Sequence, residues 1–178
     1  MSILKLFEYP DPILTQKSLP VEKFDNELKR FLADMLETMY TDHGAGLAAP
    51  QVGVLKRIIV IDAFQQDDEE GNLKKGQPMF LVNPEIIYRS EEMILFCEGC
   101  LSIPEQRAEV ERHQKIKVRY FDENGKEYLI EATDYLAVVL QHEIDHLDGI
   151  LYIDHLSRLK RNMLLKKLQK LREQKNNI

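Results

Sequence analysis

The segment 141–146, which reads Gln-His-Glu-Ile-Asp-His, holds two histidines four residues apart and a glutamate directly after the first. Positions i and i+4 of a helix lie one above the other on a single face, so His142 and His146 can bind one metal ion without distortion of the backbone. Glu143 projects about 100° away from His142. It can reach a water molecule on the metal and accept its proton, as a general base does. The pattern therefore predicts metal-assisted hydrolysis.

The apolar residues around this segment indicate that its helix is buried. Five apolar residues precede the segment at 136–140, and Leu147, Ile150 and Leu151 follow it. A helix that is apolar on nearly all sides belongs in a protein interior, where histidine and glutamate side chains need partners. A metal ion would supply those partners. The alternative is a solvated helix whose histidines only hydrogen-bond to neighbouring acids.

The composition is that of an ordinary soluble globular protein. The chain has 178 residues, of which 44% are hydrophobic and 30% charged, and this length supports one domain with a real core. No apolar run reaches the roughly 18 residues of a membrane span, and the N-terminus lacks the apolar stretch of a signal peptide. We therefore expect a cytoplasmic protein with no membrane partner. Its two cysteines do not make a disulfide framework.

Hydrophobic periodicity predicts an α+β fold. Apolar residues at helical spacing predict a helix over 25–42, and the β-branched run 57–64 predicts a buried strand. The polar segment 65–78 is expected to be an exposed loop. Further strands are expected at 79–82, 93–96, 115–122 and 127–132, with a hairpin turn at Asn124-Gly125 between the last two. This order predicts one metallohydrolase domain, 1–178, in which antiparallel β-sheets pack around the central His-Glu-x-x-His helix, with an N-terminal and a C-terminal helix.

The C-terminal segment 157–178 carries a charge opposite to that of the rest of the chain. Its eight basic residues and one acidic residue give +7, while the other 16 basic and 29 acidic residues give −13. Ser157 is a candidate N-cap, and apolar residues follow at helical spacing: Leu159, Met163, Leu164, Leu168 and Leu171. Such a basic amphipathic helix could bind RNA. Alternatively, its leucines pack on the protein and its lysines keep it soluble.

A hydrolytic metal site usually needs a third protein ligand besides the two histidines. The candidates are Asp148, Asp154 and His155 downstream, and Cys97 and Cys100 upstream. A thiolate suits a borderline-soft metal, but a C-x-x-C pair could also be a redox dithiol or half of a structural zinc site. Residues three apart in an extended strand point to opposite faces. We therefore expect at most one of the two cysteines to face the helix.

Three segments of the chain resemble the signature motifs of peptide deformylases, in the family's order. They are Gly44-Ala45-Gly46-Leu47-Ala48-Ala49-Pro50-Gln51, Glu98-Gly99-Cys100-Leu101-Ser102 and the helix motif at 141–146. The resemblance covers nearly the whole chain, although the family's pattern does not require a cysteine at Cys97. It implies a hydrolase that removes the formyl group from the N-terminal formyl-methionine of new polypeptides and releases formate.

The resemblance also implies roles for individual residues. The metal ligands fall on Cys100, His142 and His146, and the metal is characteristically ferrous iron, which zinc, nickel or cobalt can replace. Glu143 falls on the catalytic glutamate. The side-chain amide of Gln51 and the backbone N–H of Leu101 fall on the donors that stabilise charge on the substrate oxygen.

Substrate contacts follow from the small and apolar residues near these motifs. The glycines at 44 and 46 would let an extended peptide backbone approach closely, which makes Gly46 a candidate substrate-binding residue. Val138 and Val139, one helical turn before His142, are candidates for the wall of the methionine pocket. Alternatively, both valines only pack in the hydrophobic core.

The expected partners are N-formylmethionyl nascent peptides, with the ribosome as a candidate partner of the basic C-terminal helix. No DNA partner is expected, and we expect a monomer. A small metallopeptidase is the main alternative function, but such enzymes take their third ligand from downstream of His-Glu-x-x-His. A redox or metal-sensing module built on Cys97 and Cys100 is a third possibility, which leaves Glu143 and the segment 44–51 without a role.

Overall fold

The structure is a computed structural model that describes residues 2–64, 66–67 and 73–176. Within these ranges the helices are α1 (Asn26–Thr41), α2 (Asp134–Leu147) and α3 (Arg158–Asn176). The strands are β1 (Gly46–Ala48), β2 (Ile58–Ile61), β3 (Gln66–Asp67), β4 (Leu73–Lys74), β5 (Met79–Arg89), β6 (Met93–Cys100), β7 (Ile103–His113), β8 (Lys115–Phe121) and β9 (Glu127–Thr133). None of the described helices has the length and apolarity that crossing a membrane requires.

The described strands form antiparallel sheets around α2. The largest sheet has the order β1-β2-β5-β8-β9, while β6 pairs with β7 and β3 pairs with β4. Helix α2 packs against the five-stranded sheet on one side and against β7 on the other. The predicted α+β class, with antiparallel sheets around a central helix and a helix near each end of the chain, is confirmed.

Strand β2 lies between two helices, which explains why every one of its residues is apolar. Successive side chains of a strand point to opposite faces. Ile59 and Ile61 pack in one core with α2, whereas Ile58 and Val60 pack in a second core with α1. Asp25 caps α1 by accepting hydrogen bonds from the N–H groups of the first turn, as its residue type favours.

Helix α3 packs on the β6–β7 pair with only part of its apolar surface. Leu164 and Leu168 are buried in a third core with Val110 of β7. Leu159 and Met163 remain exposed, at 70% and 54% of their surfaces. The helix begins at Arg158 after Ser157, whose hydroxyl accepts a hydrogen bond from the Lys160 N–H at 3.3 Å.

Several strand boundaries differ from the predicted ones. Strand β2 ends at Ile61 and is shorter than 57–64, and the Asp62 carboxylate that follows accepts hydrogen bonds from the Gly76 and Gln77 N–H groups. Strand β5 runs on to Arg89. The sequence did not predict β1 or β7, while the β8–β9 hairpin is present with Gly125 at φ +79° in its turn. The expected loop 65–78 instead contains the short antiparallel pair of β3 and β4, so the prediction of a loop throughout is wrong. Residues 65 and 68–72 of this segment lie outside the described residues.

Candidate metal centre

Cys100, His142 and His146 converge between the end of β6 and one face of α2. One ligand atom from each residue lies within 4.8 Å of the other two, and the Cys100 Sγ is 3.3 Å from the His146 Nε2. Cys97 is exposed on the other face of β6. Strand alternation therefore separates the two cysteines as expected, and the upstream thiol at 100 is the one that meets the helix.

The end of β6 is irregular, and this irregularity helps to place the thiol. The pairing with β7 runs evenly to Gly99, opposite Arg107, and then shifts so that Cys100 pairs with Ile103. The hairpin is further anchored because the Ser102 carbonyl accepts a hydrogen bond from the Tyr9 N–H at 2.8 Å. A strand end rather than a mobile loop therefore carries the candidate ligand.

A buried carboxylate orients the first histidine. His142 Nδ1 lies 2.7 Å from the Glu98 Oε2, and because an ionised carboxylate only accepts, Nδ1 is the protonated nitrogen. Nε2 is then the nitrogen left to bind a metal. Arg112 binds both Glu98 oxygens, at 2.6 and 3.0 Å. Burial alone would raise the pKa of Glu98, but the hydrogen bonds from His142 and Arg112 lower it.

The charges in the cluster suit a transition metal. Burial alone would raise the pKa of the Cys100 thiol, but the two neighbouring histidines outweigh it and lower the pKa to about 5. The pKa of His142 is raised well above its ordinary value, since hydrogen bonds with Cys100 and Glu98 and the charges of Cys100 and Glu143 outweigh its burial. The Cys100 sulfur is thus a thiolate near neutral pH. One thiolate and two imidazoles fit iron, zinc, nickel or cobalt better than magnesium or calcium.

Glu143 lies beside the cluster without being part of it. Its side chain is buried, and its Oε2 has no hydrogen-bond partner among the described residues. Burial raises the pKa of Glu143 to about 7, which lets it hold or give up a proton near neutral pH. A Cβ atom on Gly46 would lie 2.5 Å from the Glu143 Oε1, so a glycine at 46 makes room for this carboxylate.

Gln51 presents its amide nitrogen to the same place. Its Oε1 accepts a hydrogen bond from the Ala48 N–H at 2.8 Å, which fixes which way the amide faces. Its Nε2 donates to the Ser102 hydroxyl at 3.2 Å and lies 3.5 Å from the Cys100 Sγ. Leu101 follows Cys100 directly and lines the same cleft.

The cluster opens into a cleft of about 860 Å³. Gly44, Ala45 and Gly46 line one side, and the second half of β6 lines the other. Among the described strands β1 pairs with β2 alone and β6 pairs with β7 alone, so each has a second edge without a strand partner. Val138 and Val139 line the cleft, and Val139 also packs in the core.

Some residues around the cluster were not singled out from the sequence. Arg112 is buried on β7 against Glu98, and the Tyr152 ring stacks on the His142 ring at 6.1 Å between centroids. Phe96 and Tyr135 pack on each other at the cleft wall. The motifs around Cys100 and His142 did not predict these neighbours, because the neighbours lie on other elements of the chain and reach the site only through the packing of the fold.

Comparisons of the sequence find peptide deformylases over nearly the whole chain. The family model described as polypeptide deformylase matches residues 3–162. A peptide deformylase 1 of Rickettsia conorii is 54% identical over 178 residues, which are 100% of this chain and 99% of the relative. A peptide deformylase of Novosphingobium aromaticivorans is 50% identical, with 97% of this chain and 99% of the relative covered.

Solved structures of the same kind share the fold. A crystal structure of a peptide deformylase from Legionella pneumophila matches with a TM-score of 0.88 at 41% identity, covering 99% of both chains. A peptide deformylase from Ehrlichia chaffeensis in complex with actinonin matches with a TM-score of 0.86 at 42% identity, covering 96% of this chain and 98% of the other.

We expect the protein to bind one cobalt(II) ion through the Cys100 thiolate and to release protons as it does so. The ion must displace the proton that the raised pKa of His142 keeps on the imidazole. Apparent affinity should therefore fall as pH falls, by about tenfold per pH unit for each proton displaced. Titrations at several pH values, followed by the thiolate-to-cobalt absorbance, measure this. Cys97→Ser should keep the absorbance and Cys100→Ser should lose it; the opposite pattern would contradict the assignment.

Proposed function

Because the chain belongs to the peptide deformylase family, we propose that Cys100, His142 and His146 hold the metal ion on which its activity depends. The chain hydrolyses the N-formyl group of formyl-methionine at the start of new polypeptides, with release of formate. The observation that supports the ligand assignment is the meeting of one strand thiol with two histidines a helical turn apart.

We further propose ferrous iron as the metal, with zinc, nickel or cobalt as substitutes. A divalent ion at this site would polarise the formyl oxygen and lower the pKa of a water molecule. The soft thiolate and the two imidazoles support a transition metal. The choice of iron among these metals rests on the resemblance of the motifs to the family.

The proposed role of Glu143 is to move the proton. Its carboxylate accepts the proton of the attacking water and delivers it to the departing amine nitrogen. Burial and a raised pKa, together with the lack of a hydrogen-bond partner for Oε2 among the described residues, support this role. A neighbouring cation would favour the ionised form of Glu143, which is the form that accepts a proton.

Gln51 and Leu101 are the proposed donors to the substrate oxygen. The Gln51 amide carries two N–H groups. One donates to the Ser102 hydroxyl at 3.2 Å, and the Cys100 Sγ lies 3.5 Å from the same nitrogen, so the amide nitrogen is at the cluster, where a substrate oxygen would take the place of one of these acceptors. The Leu101 backbone N–H follows the ligand Cys100 in the chain. Donors that are fixed before the reaction stabilise charge as it develops, without having to reorganise.

The substrate is proposed to lie as an extended strand in the cleft. The open edges of β1 and β6 offer backbone groups to a peptide between them, as in β-strand addition. Gly46, Val138 and Val139 would contact the formyl-methionine. The metallopeptidase alternative is disfavoured, because the thiol comes from upstream of the helix and the relatives are peptide deformylases.

We also propose that residues 1–178 form one metallohydrolase domain and that the protein is a cytoplasmic monomer.

A further proposal is that the basic segment 157–178 binds the ribosome. In α3, three basic residues form ion pairs with acidic residues of the protein: Arg161 with Asp154, Arg172 with Glu8 and Lys175 with Glu105. Five other basic residues of the segment are exposed and can meet RNA phosphates: Arg158, Lys160, Lys166, Lys167 and Lys170. The exposed Leu159 and Met163 lie on the same helix.

The activity is tested with protein purified without oxygen and supplied with ferrous iron. Formate should be released from a formyl-Met peptide and not from its acetylated or unmodified counterparts. Glu143→Ala should lower kcat by about a hundredfold to ten-thousandfold, the usual contribution of general acid–base catalysis. Cys100→Ser should lose metal and activity together, while Cys97→Ser serves as the matched control. Cleavage of internal peptide bonds instead would assign the chain to the peptidases.

Gly46→Ala should remove activity by steric displacement of Glu143. The added Cβ would lie 2.5 Å from Oε1, so the carboxylate must move. Since Glu143 is not a metal ligand in this proposal, the variant should keep its cobalt absorbance and show a lower kcat. Steady-state kinetics and metal content measure the two effects. An unchanged kcat would show that Glu143 does not need its observed position.

Replacement of four α3 lysines should weaken ribosome binding while leaving turnover of a short formyl peptide unchanged. The variant carries Lys160→Gln, Lys166→Gln, Lys167→Gln and Lys170→Gln. The fraction that pellets with ribosomes should fall, and so should its dependence on salt, because phosphate contacts release counterions. A variant with glutamine at Lys23, Lys29, Lys56 and Lys115 has the same net charge and should pellet like the unaltered protein. Equal pelleting of both variants would contradict the proposal.

A further inference from the structure

We propose that His155, a surface histidine outside the ligand set, is a positioning residue for the metal site. It lies at the far end of a chain of hydrogen bonds that begins at the ligand His142. The inference rests on the metal site proposed above, and it adds a residue from a different part of the fold. The short 3-10 helix that carries this residue, Tyr152–His155, follows α2 and precedes α3.

The chain of contacts is continuous. His142 Nδ1 donates to Glu98 at 2.7 Å, and Glu98 accepts two hydrogen bonds from Arg112 at 2.6 and 3.0 Å. Arg112 Nη1 donates to the Asp145 Oδ2 at 2.6 Å. His155 Nε2 lies 2.8 Å from that same oxygen. Each interval is within ordinary hydrogen-bond distance, so the ligand and the surface histidine are linked by three intervening side chains.

The geometry fixes the role of His155 at Asp145. An ionised carboxylate only accepts hydrogen bonds, so the His155 Nε2 must carry a proton and donate it. Its 3.3 Å approach to the Arg112 Nη1 is then contact between two donors, and no hydrogen bond forms there. Two donors therefore meet on one carboxylate oxygen. Together they hold Asp145 against Arg112, whose side chain is 4% exposed and whose guanidinium needs its carboxylate partners.

The short helix touches the ligand a second time. Residues i and i+3 of a 3-10 helix lie on the same side, so Tyr152 and His155 face the site together. The Tyr152 ring stacks on His142, and its hydroxyl donates to the Gln106 carbonyl of β7 at 3.2 Å. The short helix thus contacts His142 directly through Tyr152, its first residue. Its last residue, His155, is connected to His142 through the chain of hydrogen bonds.

Loss of the His155 donor should loosen this support. Asp145 Oδ2 would keep only Arg112 and would be open to water on the side that the imidazole covers. Arg112 would then be held less firmly against Glu98, and Glu98 against His142. Loss of a direct partner of a metal ligand typically costs 10–100-fold in metal affinity. We expect about a threefold to tenfold faster release of metal here, because the effect passes through Arg112 and Glu98.

The test compares His155→Leu with His155→Gln in the cobalt-loaded protein. Leucine removes the donor, whereas glutamine restores an N–H that can reach Asp145. Excess chelator is added, and the decay of the thiolate-to-cobalt absorbance gives the release rate without reference to catalysis. The Tm of each metal-free protein is measured beside it, because a merely structural effect would lower this Tm.

The proposal expects fast release from the leucine variant, release within about twofold of the unaltered protein from the glutamine variant, and the same metal-free Tm for all three. Equal release rates would overturn it. Equally fast release from both variants would also overturn it. So would a lower metal-free Tm of the leucine variant, because a general loss of stability would then explain the faster release. If the unaltered protein retained no cobalt, the ligand assignment itself would fail, which is a distinct outcome.

Discussion

The candidate site depends on one buried cation. Arg112 extends from β7 between Glu98 of β6 and Asp145 of α2, and its side chain is almost completely excluded from solvent. A buried ion pair adds little net stability over apolar packing, but removal of one partner costs about 3–5 kcal/mol because the other charge is left without compensation. The Arg112 guanidinium therefore adds little to the stability of the fold, but it determines how β6, β7 and α2 are placed relative to one another. It requires the hairpin that carries Cys100 and the helix that carries the histidines to meet in one way.

A second polar contact fixes the rotation of that helix. The Gln141 side chain accepts a hydrogen bond from the His113 N–H at 3.1 Å and donates to the His113 carbonyl at 2.9 Å. It thereby pairs with the backbone between β7 and β8 as a strand partner would. With residue 141 held towards β7, the next residue begins the face that meets Cys100, and Glu143 turns towards Gly46. Apolar packing alone would hold α2 in the core without setting this angle so closely.

The parts of the site that follow from local periodicity were predictable, and the parts that depend on long-range packing were not. Helical spacing predicted that His142 and His146 share a face, and strand alternation predicted that only one cysteine would join them. Strand β7 escaped prediction because its inward positions include Gln106 and Arg112, so its pattern of buried residues does not read as apolar. The sequence suggested that glycine at 46 makes room for a substrate backbone, but it did not show that glycine makes room for the Glu143 carboxylate, which lies 97 positions along the chain.

Among the described strands, β1 and β6 each have one edge without a strand partner. Unpaired strand edges are templates for pairing with other molecules, and natural proteins usually protect them with charges or cover. At the outer edge of the large sheet, β9 bears the exposed acids Glu127 and Glu131. Strand β1 and the second half of β6 instead border one cleft, so a strand that pairs with either of them there must enter the cleft. The recess in which we propose that the nascent chain lies thus also withholds these two edges from the sheets of neighbouring copies.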